Sequence, residues 1–267
     1  MDLETLAKTH ANYDDTLRTI EEIFLKERSY TFEIPHGEDV LVLLSGGLDS
    51  VAMSHMVAKE WQCRIFPLYI KRGARAEKYE EQAFDWYNAY FKDKLGKQWQ
   101  KQTKLEIEIP PLELKKNIPD DRRKTVGLPL RNSTIQNYAV MTAISLNEKH
   151  DANIRTVFSG SVAEDGRCPE LSILSLRAQN LSTCIQLGEW QWQISSPMLE
   201  PALRDYPLDK RHLILWAKEH KLPLEKTRTC FSNQERACGK CQACKKRAKA
   251  FAAAQKPDPA SIDPSEY

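Results

Sequence analysis

The chain has 267 residues, 41% hydrophobic and 28% charged, and its 39 basic residues nearly balance its 37 acidic ones for a formal net charge of +2. One main domain with a full core and a small appended module is expected, and the near-neutral balance gives no global case for nucleic-acid binding. No stretch is apolar enough to span a bilayer and no basic head with an apolar run opens the chain, so a cytoplasmic protein is expected whose seven cysteines are thiols or metal ligands rather than disulfides.

In chain order, residues 1–30 place Leu3, Leu6, Tyr13, Leu17, Ile20, Ile23 and Phe24 at roughly helical spacing, which predicts one or two amphipathic helices in an N-terminal extension over 1–38. The run Val40-Leu41-Val42-Leu43-Leu44 then reads as a buried strand emptying into Ser45-Gly46-Gly47-Leu48-Asp49-Ser50. Gly46 and Gly47 permit a sharp turn and close approach to a ligand, the following helix start offers free N–H groups to an anion, and Ser45 and Ser50 add hydroxyls. Asp49 is placed to hold a divalent cation or to cap the helix. The pattern is not a Walker A loop, for no lysine follows the second glycine at the required place, and it is not G-x-G-x-x-G.

Helices are predicted over 51–61, 77–91, 134–147 and 208–220, and strands over 64–70, 105–109, 155–159 and 190–194. Alternating strands and helices imply an α/β fold with a doubly wound parallel sheet, its ligands at the carboxyl ends of the strands. The proline-bearing stretch 110–130 is expected to be a long connection that covers the site, and the tail from Lys256 is expected to lack structure. There is no internal repeat and no low-complexity block.

Several further groups fall at strand ends or helix starts, where a phosphate-binding site needs them. These are Arg72-Gly73-Ala74-Arg75, with Gly73 and Arg75 as candidates, Arg131 and Asn132 after Leu130, Ser159-Gly160-Ser161, and Lys210 at a helix start. Any one of them alone reads as a solvated charge or an ordinary turn; their recurrence at strand ends makes the case. Late in the chain, Cys230, Cys238, Cys241 and Cys244 offer four thiolates in one short segment, a closed tetrahedral set for a structural Zn2+, with Gly239 easing the turn inside the C-x-x-C pair. A redox pair and an iron–sulfur cluster are the competing readings of that segment. Cys63 and Cys184 read as small core residues, and Lys245-Lys246-Arg247 as a solvated helix face.

The segment Ser45 to Ser50 resembles the pyrophosphate loop of the ATP pyrophosphatase superfamily, whose members cleave ATP between its α and β phosphates. Joined with Gly73-Ala74-Arg75, Leu130-Arg131-Asn132, Lys210 and the run Thr227-Arg228-Thr229-Cys230 to Cys244, it is similar to the 7-cyano-7-deazaguanine synthase family over about 40–251. The resemblance implies a nucleotide-binding domain over 39–225, a zinc segment over 226–252 and a tail over 253–267. It implies a ligase that uses ATP and Mg2+ to adenylate the carboxylate of a 7-carboxy-7-deazaguanine-like base, after which ammonia gives an amide and then a nitrile. Ser45, Asp49 and Lys210 would be catalytic, and Ser45 to Ser50, Gly73, Arg75, Arg131, Asn132, Gly160 and Lys210 would hold the nucleotide.

The acceptor side departs from the family pattern. Glu164-Asp165-Gly166-Arg167-Cys168-Pro169-Glu170 stands where the family has an Asp followed by Tyr-Pro-Asp-Cys, and Arg228-Thr229-Cys230-Phe231 replaces Trp-Ser-Cys-Tyr. Transfer of the activated base to a protein amine or another nucleophile, as in relatives linked to antiviral defence, is therefore an open alternative, as is a homodimer. A zinc-ribbon module binding nucleic acid through Lys240, Lys245, Lys246 and Arg247 is a third reading. It is disfavoured by the small net charge and the lack of a stacking platform.

Overall fold

The computed structural model describes residues 14–125, 127–165 and 168–260. Five strands form one parallel sheet: β1 (Asp39–Leu43), β2 (Arg64–Lys71), β3 (Thr103–Glu106), β4 (Thr156–Phe158) and β5 (Gln193–Ser195), in the order β3-β2-β1-β4-β5. β1 is central because its residues are apolar on both sides. Val40 and Val42 join the core on one face, with Leu41 joining the core on the other. β1 pairs with β2 at Leu41↔Phe66 and with β4 at Leu41↔Val157. The chain order reverses between β1 and β4, so their carboxyl ends open a crevice.

Helices cover both faces, as the predicted doubly wound sheet requires. α2 (Leu48–Glu60), α3 (Glu77–Leu95), α8 (Lys210–Glu219) and α9 (Gln242–Ala253) pack on one side. α1 (Asp14–Arg28), α6 (Arg131–His150) and α7 (Ile173–Leu187) pack on the other. The connection expected over 110–130 carries two short helices, α4 (Leu112–Lys116) and α5 (Asp120–Thr125). Among the described residues no helix is long and apolar enough to cross a membrane.

α1 covers the end of the predicted N-terminal helical stretch, whose positions Leu3, Leu6 and Tyr13 lie outside the described residues. β3 begins two residues earlier than predicted, and Ile107 and Ile109 only continue its bonding to Lys71 and Arg72. α7 has no counterpart among the predicted elements. Its buried side chains include Arg177, Asn180 and Thr183, so the face it presents to the core is not an apolar stripe. Arg177 is nevertheless satisfied there, paired with the buried Glu200 and with Glu21 of α1. Cys63 and Cys184 are buried in the core, as their sequence context implies.

The reading of Lys245-Lys246-Arg247 as a solvated face is corrected at Arg247. Arg247 is buried and donates to Thr227 Oγ1 at 2.6 Å and to Asp258 Oδ2 at 2.7 Å, so the helix turns this residue inward while Lys245 stays exposed. The same contact fixes part of the tail expected to be without structure, because Asp258 closes over α9; residues 261–267 lie outside the described residues.

Candidate active site

The turn after β1 is shaped by its small residues. Gly46 has φ +74°, and a Cβ there would lie 2.7 Å from Phe84 N and 2.8 Å from Ala83 Cβ on α3. Only glycine accepts both that conformation and that contact. Ser50 Oγ accepts from Ser45 N–H and donates to the Gly47 carbonyl, each at 3.1 Å, and so laces the turn. Gly47 is the N-cap of α2 with no side-chain cap, which leaves N–H groups at the helix start for an anion. Leu48 is packed in the core, while Gly160 after β4 sits so close that its Cβ would approach Ser50 N to 3.1 Å.

Across the crevice, α8 begins at Lys210. Asp209 caps it with a bond from His212 N–H at 3.0 Å, and the Glu164 carboxylate accepts the Lys210 N–H at 3.1 Å. The Lys210 ammonium donates to Asp49 Oδ2. Burial alone would lower the Lys210 pKa, but the carboxylates of Asp49 and Asp165 outweigh it and raise it, so the ammonium stays charged. On the other wall Arg131 opens α6. Burial depresses its pKa, and the like charge of neighbouring Arg72 adds to the effect.

These elements enclose a cavity of about 400 Å³. Ser45, Gly47, Leu48, Asp49 and Ser50 line it from the turn, and Arg131, Asn132, Gly160 and Lys210 face them. Gly46 lies beneath the turn rather than in the lining. Gly73 and Arg75 are not brought to the cavity: Gly73 N–H donates to Glu77 Oε1 at 2.8 Å, and Arg75 is exposed. Arg72 reaches the cleft instead, paired with Glu80 at 2.8 Å.

Among the described residues, five buried side-chain atoms on this lining have neither a hydrogen-bond nor an ion-pair partner: Asp49 Oδ1, Asn132 Nδ2, Ser159 Oγ, Ser161 Oγ and Arg228 Nε. Each would cost about 1–3 kcal/mol if it stayed unmet, so their convergence on one cavity marks a site built for a polar ligand.

The cysteine segment closes the crevice. Arg228 N–H donates to the Gly46 carbonyl at 2.9 Å, and the Arg228 guanidinium holds the carbonyls of Ser232, Gln234 and Glu235 at 2.6–2.9 Å. The Sγ atoms of Cys230, Cys238, Cys241 and Cys244 all lie within 4.8 Å of one another. Tetrahedral thiolate ligands about 2.3 Å from a metal stand about 3.8 Å apart, so the donor set fits one ion with no open position. Burial pushes the Cys230 thiol up, but N–H donation from Cys238 and Ser232 outweighs it and pulls the thiol down to about 6. Cys238 is lowered by the N–H of Cys241.

The sequence reading missed Arg72, Glu80, Arg228, Phe231 and Lys246 as lining residues. Arg228 and Phe231 stood out only within the family-like run around Cys230, and Lys246 only within the basic run after Cys244.

Residues 39–255 match the model of the family described as Queuosine biosynthesis protein QueC. The chain belongs to this family. A 7-cyano-7-deazaguanine synthase of Nautilia profundicola is 28% identical over 228 residues, covering 79% of this chain and 92% of that protein. One of Acetivibrio thermocellus is 31% identical, covering 79% and 91%. Among solved structures, an NH3-dependent NAD synthetase of Campylobacter jejuni aligns over 99% of this chain and 90% of its own, at 14% identity and a TM-score of 0.38. The QueC match begins at β1 and ends just beyond α9, so it contains the turn, the cleft and all four cysteines and leaves α1 outside.

Proposed function

We propose that this protein adenylates the carboxylate of 7-carboxy-7-deazaguanine with ATP and converts it with ammonia to an amide and then to the nitrile. The names of its relatives support the overall conversion. The observation that carries the ATP-dependent step is the group of unpaired buried polar atoms around the Ser45–Ser50 turn, opposite the charged Lys210.

A carboxylate resists attack by ammonia because it is anionic and resonance-stabilised. Its oxygen attacks the α-phosphorus, pyrophosphate departs, and the acyl adenylate then carries AMP as a leaving group. The free N–H groups of α2, the Ser45 hydroxyl, Arg131 and Lys210 hold the charge that develops on pyrophosphate. Asp49, with its uncommitted Oδ1, would hold Mg2+, which supplies further charge neutralisation on the phosphates when bound. Ammonia displaces AMP to give the amide. Repeating the activation on the amide oxygen releases a second pyrophosphate, and loss of AMP and both protons from nitrogen leaves the nitrile. The strap formed by residues 227–231 shields the adenylate from water, and the four cysteines would hold Zn2+ to keep that strap folded.

The test is incubation of the metal-loaded protein with Mg-ATP and 7-carboxy-7-deazaguanine, with and without ammonia, following AMP, pyrophosphate and the base by mass spectrometry. AMP and pyrophosphate are expected from ATP, with free nitrile appearing only when ammonia is present. Adenylate or amide without nitrile would redirect the reading to another acceptor nucleophile. No ATP cleavage, with Asp49→Ala behaving like the parent, would overturn it.

A further inference from the structure

Two cations reach the nucleotide cleft from the cysteine segment, although the turn, α6 and α8 that form most of its wall lie elsewhere in the chain. Lys246 stands on α9 between Cys244, in the thiol cluster, and Arg247, buried on Thr227 and Asp258. With both flanking residues fixed, the helix cannot rotate Lys246 away from the cleft. Its ammonium is 3.3 Å from the Glu164 carbonyl and 3.6 Å from Asp165 Oδ1, and 35% of the side chain remains exposed. Neither contact is a close ion pair, and Asp165 also acts on Lys210.

Arg228 is the second cation. Its terminal nitrogens are committed to neutral backbone carbonyls, and among the described residues no carboxylate pairs with it and its buried Nε has no hydrogen-bond partner. By contrast Arg72 is paired with Glu80, and Lys210 with Asp49. Among the described lining residues, cations outnumber carboxylates five to three. Such an excess, beside an uncapped helix N-terminus, suits a polyanion rather than a neutral base.

We infer that Lys246, together with Arg228, binds the polyphosphate chain of ATP, so that the cysteine segment supplies ligand contacts as well as closure. This rests on the ATP reading above. The competing role for Lys246 is to brace the Glu164–Asp165 turn, which would affect every ligand of the cleft alike.

Titration calorimetry on the full-length, metal-loaded protein separates the two, with ATP, inorganic pyrophosphate and AMP as probes. Lys246→Met keeps the aliphatic stem and is expected to weaken ATP and pyrophosphate about tenfold and AMP less than twofold, with Lys246→Arg restoring most of the loss. Raising salt is expected to weaken ATP binding more steeply in the parent than in Lys246→Met. Arg228→Gln is expected to show the same selectivity. Because Arg228 also braces the cysteine loop, that variant is read only at full metal content, and Lys246→Met decides. Equal loss for all three probes, or no loss, overturns the inference while leaving the ATP reading in place. A parent that binds neither ATP nor pyrophosphate overturns the ATP reading and this inference with it.

Discussion

The backbone N–H of Arg228 donates to the carbonyl of Gly46 at 2.9 Å, joining the turn after β1 to a segment near the far end of the chain. Arg247 grips the same segment from the other side through Thr227 and Thr229, at 2.6 and 3.1 Å. The thiol cluster, the strap and the turn are therefore linked in series. On the proposed function, stripping metal from the four thiols, or Cys238→Ser, is expected to unfold the cysteine segment and weaken ATP binding about tenfold or more, read from metal content and calorimetry together. Unchanged ATP affinity in metal-free protein would show that the strap stands without the metal.

Gly46→Ala adds a methyl 2.7 Å from Phe84 N at φ +74°. A destabilisation of about 1–3 kcal/mol is expected, with loss of AMP formation. Denaturant unfolding and a product assay check it. Gly37→Ala is the control, since it shares a positive φ of +72° but would meet nothing within 4 Å.

Lys210→Met strands the half-buried Asp49 carboxylate, whose Oδ1 is buried, without its cation. Removing one member of such a pair costs about 3–5 kcal/mol, and AMP formation is expected to fall on the order of a hundredfold or more. Combining it with Asp49→Asn should restore most of the stability and none of the activity, as measured by melting curves and product release.

His55 lies between Phe91 and Trp216, and burial, then Lys59 and His220, depress its pKa to about 4. The folded protein thus resists a proton that the unfolded chain accepts near 6.5. Stability on this account is undiminished above about pH 6.5 and declines as pH falls toward 4, by up to about 3 kcal/mol. His55→Gln should flatten that part of the stability profile in urea titrations at fixed pH steps; an unchanged slope would contradict it.

Arg247→Met removes the cation paired with Asp258, whose carboxylate is only 10% exposed and would be left without that compensation. A loss of about 3–5 kcal/mol is expected, against a smaller one for Asp258→Asn, since Arg247 keeps Thr227 and Thr229 in that variant. Thermal unfolding of both variants gives the ranking.

The elements that sequence reading located are those with local causes. β1 and β2 are apolar runs, α3 and α8 carry apolar positions at helical spacing, and the Ser45–Ser50 turn needs Gly46 for its backbone. α7 escaped because its buried face includes Arg177 and Asn180, and Arg177 finds Glu200 and Glu21 only once distant segments meet. Periodicity cannot register a polar group that becomes core only when its partner arrives.

The same division runs through the site. The turn chemistry of Ser45 to Ser50, the lysine at a helix start and the four closely spaced thiols were legible in the sequence, because each depends on residues within a few positions of one another. Tertiary structure alone decided that β1 and β4 adjoin and open the cleft, that Arg72 rather than Arg75 faces it, and that α9 turns Lys246 inward. Those outcomes depend on strand order and on which face of a helix meets the core. They arise from contacts between segments such as Arg228 and Gly46, whose separation along the chain leaves no pattern for a sequence to display.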